Sequence, residues 1–419
     1  MGGELSGDVE LTVTARHWLI LGVATFVAAS GSAFLVGVGF LLPHFHSDMG
    51  MSLTRAGVLV AMPSVGMALA LIAWGWLVDR TGEKLVLVTG SVAAAGALTA
   101  LVFTDSFAAL AVFLLLAGVA TASGNSASGR LVVGWFPPHR RGLAMGIRQM
   151  SQPLGAAVAA MTMPFMAARF GLGAAFAVPL AMAVVSAVAA LVVVVDPPAP
   201  PAPSTPPTPS TSPAGTEAQQ PLHARSPYRG ADHLQRIHAV SVLLVLPQGM
   251  MQSFLLAWLV LGHGWSAVSA GVVVTVSQIL GAAARIVAGW VSDRVGSRMA
   301  PIRGVAVAVT GGLAALAVAE ALGAPGVVAV TLAVVATVLS VSDNGLAFTA
   351  VAEYAGPRWS GRALGVQNTS QFVTISLATP LIAAGIERFG YWAAFAGAAV
   401  VAAAAIPLVP RADRSRQEA

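Results

Sequence analysis

Long apolar runs follow one another along this chain, separated by short breaks that carry charge or are rich in Gly and Pro. A hydrocarbon core about 30 Å thick takes roughly 20 apolar residues per span, and a helix satisfies its backbone donors and acceptors within its own segment. The pattern predicts twelve membrane-spanning helices. The first set covers 17–42, 54–78, 85–104, 107–135, 141–168 and 171–195; the second covers 238–262, 267–291, 302–322, 326–353, 362–386 and 389–409. Between them, residues 197–236 are rich in Pro, Ser, Thr and Ala and open with Pro197, Pro198, Ala199, Pro200 and Pro201. Such a stretch cannot bury enough apolar surface to fold, which predicts a disordered cytoplasmic linker. The expected architecture is an all-α polytopic membrane protein of two pseudo-symmetric six-helix bundles, 1–196 and 237–419, the second ending in a short basic tail with Arg411, Arg414 and Arg416.

The two sets repeat each other. Between spans two and three stands Gly75-Trp76-Leu77-Val78-Asp79-Arg80-Thr81-Gly82-Glu83-Lys84, and between spans eight and nine Gly289-Trp290-Val291-Ser292-Asp293-Arg294-Val295-Gly296-Ser297-Arg298, with Gly, Trp, Asp, Arg and Gly in register. Further along, Ala144 to Gln152 in span five matches Ala363 to Gln371 in span eleven, Phe170-Gly171 matches Phe389-Gly390, and Asn125 pairs with Asn344. Six-span halves repeated on either side of a flexible tether are the pattern of an alternating-access carrier, whose site lies between halves that rock about it.

Composition agrees with the membrane reading. Hydrophobic residues make up 57% of the chain, charged residues 9%, and mean hydropathy is +0.80, which leaves too little charge to cover a soluble globule. The isoelectric point near 10.6 does not signal nucleic acid, because the basic residues are scattered over short loops and form no run or aromatic-interleaved stripe. They mark topology instead. With both termini cytoplasmic, 16 Lys and Arg residues lie in cytoplasmic loops and 3, Arg55, Arg169 and Arg388, lie opposite. The amino terminus carries Glu4, Asp8 and Glu10 before Arg16, which is wrong for a cleaved leader, so span one is expected to remain. Its Met1-Gly2-Gly3-Glu4-Leu5-Ser6 start fits an acylation pattern that adds nothing to so many spans. Cysteine is absent, which removes disulfides and thiolate metal sites. His44-Phe45-His46-Ser47-Asp48 has metal-like spacing but sits in an outer loop without a closed ligand set, and Asn368-Thr369-Ser370 falls inside a span where no glycosyl transferase reaches. No cofactor or metal is expected.

The doubled Gly-x-x-x-Asp-Arg-x-Gly loop, the six-plus-six division and the central tether resemble the major facilitator superfamily over essentially the whole chain. Trp135-Phe136-Pro137 through Arg141-Gly142-Leu143-Ala144-Met145-Gly146-Ile147-Arg148-Gln149 is similar to members that carry small anions, the cyanate, nitrate and monocarboxylate permeases. The family resemblance implies that Gly75, Asp79, Arg80 and Gly82, with Gly289, Asp293, Arg294 and Gly296, form a conformational latch on the cytoplasmic side. The residues suit that role: glycine permits close approach and tight turns, Asp79 can accept from a helix N-terminus, and Arg80 can pair across the loop. Glu83 and Ser297 stand where a basic residue is common in the family pattern.

Charges inside spans cost about 2.5 to 3.5 kcal/mol each on insertion scales, so each needs a partner or a task. Away from the span ends, four stand out: Arg130, Arg148, Arg285 and Asp343. Arg148 lies one helical turn from Gln152 and can present a guanidinium to a planar anion, or pair with Asp343 across the halves. Asp343, beside Asn344, is the carboxylate near mid-membrane, suited either to proton coupling or to a structural pair. Arg285 either faces the cavity or snorkels to the interface. Arg130 lies within reach of Asp79 or Glu83 and is expected in the latch. Arg148, Arg285 and Asp343 together make a cavity of net charge +1, which favours an anionic substrate. Asn125, Asn344, Gln152 and Gln371, with Gln248, Gln252, Gln278 and Asn368, could line the path or serve as ordinary interhelical glue.

The expected function is secondary active transport of a small, monocarboxylate-like or inorganic anion across the cell membrane, with a proton as candidate coupling ion for symport. The rival within transport is an exporter of drugs or other hydrophobic compounds, which would need an acidic, aromatic-lined pocket; the charge here has the opposite sign. An enzyme is not expected, since there is no His-Glu-x-x-His and no His at membrane depth to serve a nucleophile.

Overall fold

The structure is a computed structural model of the 419-residue chain, described here over residues 14–197, 227–228, 232–356, 359–411 and 413. The first half consists of α1 (Ala15–Phe40), a short α2 (Leu42–Ser47), α3 (Leu53–Thr81), α4 (Glu83–Val102), α5 (Phe107–Trp135), α6 (Pro138–Gln149), α7 (Ser151–Phe170) and α8 (Leu172–Val193). The second consists of α9 (His233–Ala257), which runs on into a π-helical turn at Trp258–Gly262, then α10 (Ala267–Val295), α11 (Met299–Ala321), α12 (Gly326–Ser340), α13 (Asn344–Ala355), α14 (Ser360–Phe389) and α15 (Tyr391–Ala405). Eleven of these helical runs are each long and apolar enough to cross a membrane, and α6 with α7 occupies the remaining place among the described residues.

Three sequence expectations change. Helix α9 begins at His233, so residues 233–236 are helical and not tether; most of 197–236 lies outside the described residues. Span 141–168 is not one helix but two, joined at Met150. Pro153 explains the joint, because its ring excludes the carbonyl four residues back, at Gln149, and it has no N–H to offer. Span 326–353 likewise breaks, between Ser340 and Asn344. There the hydroxyls of Ser340 and Ser342 turn back to the carbonyls of Thr337 and Val338 at 2.8 and 2.7 Å, the local competition that weakens a helix interior.

Successive spans alternate in direction, so the start of α1, the two signature loops and the end of α15 share one face, called here the termini face. Toward the opposite face the halves meet along α3 with α14 and α7 with α10. Glycine makes this seam possible. A Cβ on Gly57 would stand 2.6 Å from the Ala383 Cβ, and one on Gly271 2.4 Å from the Ala160 carbonyl oxygen, closer than any side chain could be. Each is the fifth residue of its helix, α3 or α10. Toward the termini face the halves part: α6 packs on α1, α5 and α7, and α13 on α9, α10, α11 and α14, each within its own half.

Each half is also closed on itself by an acid that follows its last helix. Asp196 accepts from the Lys84 amide at 2.7 Å, and Asp413 from the Arg298 and Met299 amides at 2.9 and 3.2 Å. A carboxylate there satisfies first-turn N–H groups and complements the positive end of the helix dipole.

Candidate functional site

At 1.5 Å per residue, Arg148 on α6 and Arg285 on α10 lie about 15 Å from the termini-face ends of their helices, and Asp343 about 18 Å. The three share one depth, and two of them flank the helix breaks: Arg148 is the next-to-last residue of α6, and Asp343 precedes α13.

Arg148 is held by α5. Its Nε and Nη2 donate to Ser128 Oγ at 3.1 and 2.9 Å, Nη2 also donates to Asn125 Oδ1 at 3.3 Å, and Nη1 donates to Gln149 Oε1 at 2.6 Å. Every acceptor is neutral. Ser128 is fully buried and is itself fixed by donating to the Gly124 carbonyl, whereas Asn125 and Gln149 are exposed on the parted side of the seam. A small pocket between α1, α3 and α5, lined by Gly31, Ser32, Met67 and Thr121 among others, ends at Asn125. The guanidinium is thus aimed by uncharged groups, and no acid among the described residues pairs with it.

Arg285 crosses the seam. Its Nη2 donates to Gln152 Oε1 on α7 at 3.1 Å, and its Nε donates to the Val341 carbonyl at 3.0 Å, a group released by the α12–α13 break. It is also the cation that acts electrostatically on Asp343, which is 3% exposed. Arg285 therefore points inward, and of the two orientations open to it from sequence, snorkelling is not the one adopted. No ion pair among the described residues joins Arg148 to Asp343. Asn344 donates to Gln248 Oε1 at 2.9 Å, and Gln371 is buried on α14 apart from these bonds. Ser128 escaped the sequence reading; its signal was its position three residues after Asn125, on the same helical face.

The signature loops lie at the termini face. Arg130 pairs with Asp79 and, through Nε, with Glu83 Oε1 at 3.3 Å, which joins α5, α3 and α4. In the second copy the polarity is reversed: Arg298, in the loop, donates to Asp293 at 2.6 Å and to Glu353 on α13 at 3.1 Å. Arg80 does not pair across its loop but stacks on Trp76, with the guanidinium carbon 3.8 Å from the ring centre, and Arg294 stacks on Trp290 at 4.0 Å. Gly82 and Gly296 have φ of +86° and +66° and make the turns. Gly75 and Gly289 differ from expectation: a Cβ on either would meet nothing within 4 Å, so neither is a point of close approach here.

The comparisons with known proteins agree with this architecture. The chain is 44% identical over 399 residues to an uncharacterized MFS-type transporter of Mycobacterium tuberculosis, covering 95% of this chain and 86% of that one. It is 29% identical over 346 residues to a probable nitrate/nitrite transporter of the same organism, covering 78% of this chain and 79% of that one. The crystal structure of a D-xylose-proton symporter superposes with a TM-score of 0.74 at 14% identity, covering 94% of this chain and 98% of that one. Residues 21–379 match the model of the Major Facilitator Superfamily, and this chain is a membrane transporter of that family, not an enzyme.

Proposed function

We propose that this transporter moves a small organic or inorganic anion across the cell membrane by alternating access, with Arg148 as the group that binds the anion. The observation that carries the proposal is the Arg148 guanidinium itself, at mid-depth and bonded, among the described residues, to neutral acceptors alone. An uncompensated cation in a low-dielectric site recruits an anion to neutralise it. Asn125, Gln152, Asn344, Gln371 and Arg285 line the path. Arg285 is partly neutralised by Asp343, so the first half offers the stronger anchor. The name of the nitrate/nitrite relative supports an anionic cargo.

Asp343 carries or gates a proton in this reading. Its burial beside a helix break, facing one arginine, supports a group whose charge matters to the site. Both termini are cytoplasmic, in line with the excess of Lys and Arg on the termini face. The arrangement of the halves then corresponds to an inward-facing state, and the two signature loops set the balance between inward and outward.

A competition panel tests the proposal. Purified protein is titrated with nitrate, acetate and a lipophilic cation, in the parent and in Arg148→Gln. Small anions are expected to bind the parent and to lose affinity in the variant; binding of the lipophilic cation alone would overturn the reading.

A further inference from the structure

The contact that closes the opposite face uses residues that play no part in the site. Thr54 is the second residue of α3, and first-turn amides have no acceptor inside their own helix. The N-cap Ser52 accepts from the Arg55 amide at 3.3 Å, which leaves the Thr54 amide to find a partner elsewhere. That partner belongs to the other half. Glu387 Oε2, near the end of α14, accepts from the Thr54 amide at 3.1 Å and from the Thr54 hydroxyl at 2.6 Å. His46 on α2, bonded to the Met51 carbonyl at 2.7 Å, acts electrostatically on the same carboxylate. A side chain of the second half thus caps a helix of the first, at the end where the dipole favours negative charge.

We propose that Glu387 is a gating residue: its capping of α3 holds the opposite face shut, and its release from Thr54 accompanies the opening of that face. The proposal rests on the alternating-access reading above. Its placement supports it, because Ala383, one helical turn before Glu387, is the residue that fills the space at Gly57. The carboxylate therefore stands directly over the tight part of the seam. Glu387 is exposed, so each bond alone is weak; its leverage comes from biasing two arrangements of the halves that are close in free energy.

The natural absence of cysteine makes the test direct. Spin labels on Ser47→Cys and Leu322→Cys, exposed positions at the opposite face in different halves, report the separation there by pulsed electron resonance in nanodiscs. In the parent the short separation is expected to dominate. In Glu387→Ala the longer-separation fraction is expected to rise about fivefold. Thr54→Val, which keeps the amide and loses the hydroxyl, is expected to shift the same way by less, and serves should Glu387→Ala fold poorly. Distributions that superimpose on the parent in the folded variants overturn the gate. If they do so while anion transport persists, the anion reading stands without it; a widened face in the variant, alongside a parent protein that moves no anion, supports the gate and sinks the anion reading.

Discussion

From the fourth span of each half onward, positions 219 apart correspond, and at the depth of the site they differ where it matters. Asn125 and Asn344 are alike, but Arg148 corresponds to Gln367 and Asp343 to Gly124. The backbone differs at the same places. The first half breaks its fifth span at Met150, while the corresponding α14 runs unbroken from Ser360 to Phe389. The second half breaks between α12 and α13, while the corresponding α5 is continuous from Phe107 to Trp135. Charge and break occur together, once in each half. A break frees backbone groups and brings a helix end to mid-depth, where the charge can use them, as Arg285 uses the Val341 carbonyl. Two halves built on one plan are thus suited to separate tasks: the first presents a cation with no counter-ion among the described residues, the second a carboxylate that already faces one.

Making the halves alike should abolish those tasks. Arg148→Gln gives the first half the residue of the second, and removal of charge-assisted bonds worth about 1.5–3 kcal/mol should weaken anion binding by about 10- to 100-fold, measured by equilibrium titration. Asp343→Asn should leave anion exchange running in proteoliposomes and abolish accumulation driven by a pH gradient. Survival of both activities unchanged would remove Asp343 from coupling. Ser128→Ala keeps the cation but takes away the acceptor of two of its bonds, so KM should rise about fivefold with the maximal rate nearly kept. The smallest effect belongs to the latch. Arg130 is half-exposed, and Arg130→Ala should cost about 0.5 kcal/mol, a melting shift of about 1–2 °C by thermal scanning. Arg298→Ala, which likewise frees two acids, here Asp293 on α10 and Glu353 on α13, should behave similarly despite the reversed polarity.

The duplication and the signature loops were legible because they rest on residue type and offset alone. The breaks were not read, although Pro153 marks one of them in plain sight: hydropathy runs straight through it. Proline is an uneven guide, since Pro63, Pro164, Pro179, Pro247 and Pro380 all sit inside helices that continue. The other break has no proline, only a run of Ser340, Ser342 and Asp343 whose effect depends on which carbonyls they reach. The bond between Thr54 and Glu387 joins residues 333 apart, and nothing local predicts it. The orientation of Arg148 toward Ser128 is likewise a tertiary fact, fixed by how α6 leans on α5.

Asp413 lies a few residues beyond the final helix, in what looks on paper like a dispensable tail, yet it completes the hydrogen bonding at the front of α11. A stop codon placed directly after Val409 would take away the acceptor of the Arg298 and Met299 amides, more than a hundred positions away along the chain. The safe place to cut or extend this protein is past that aspartate.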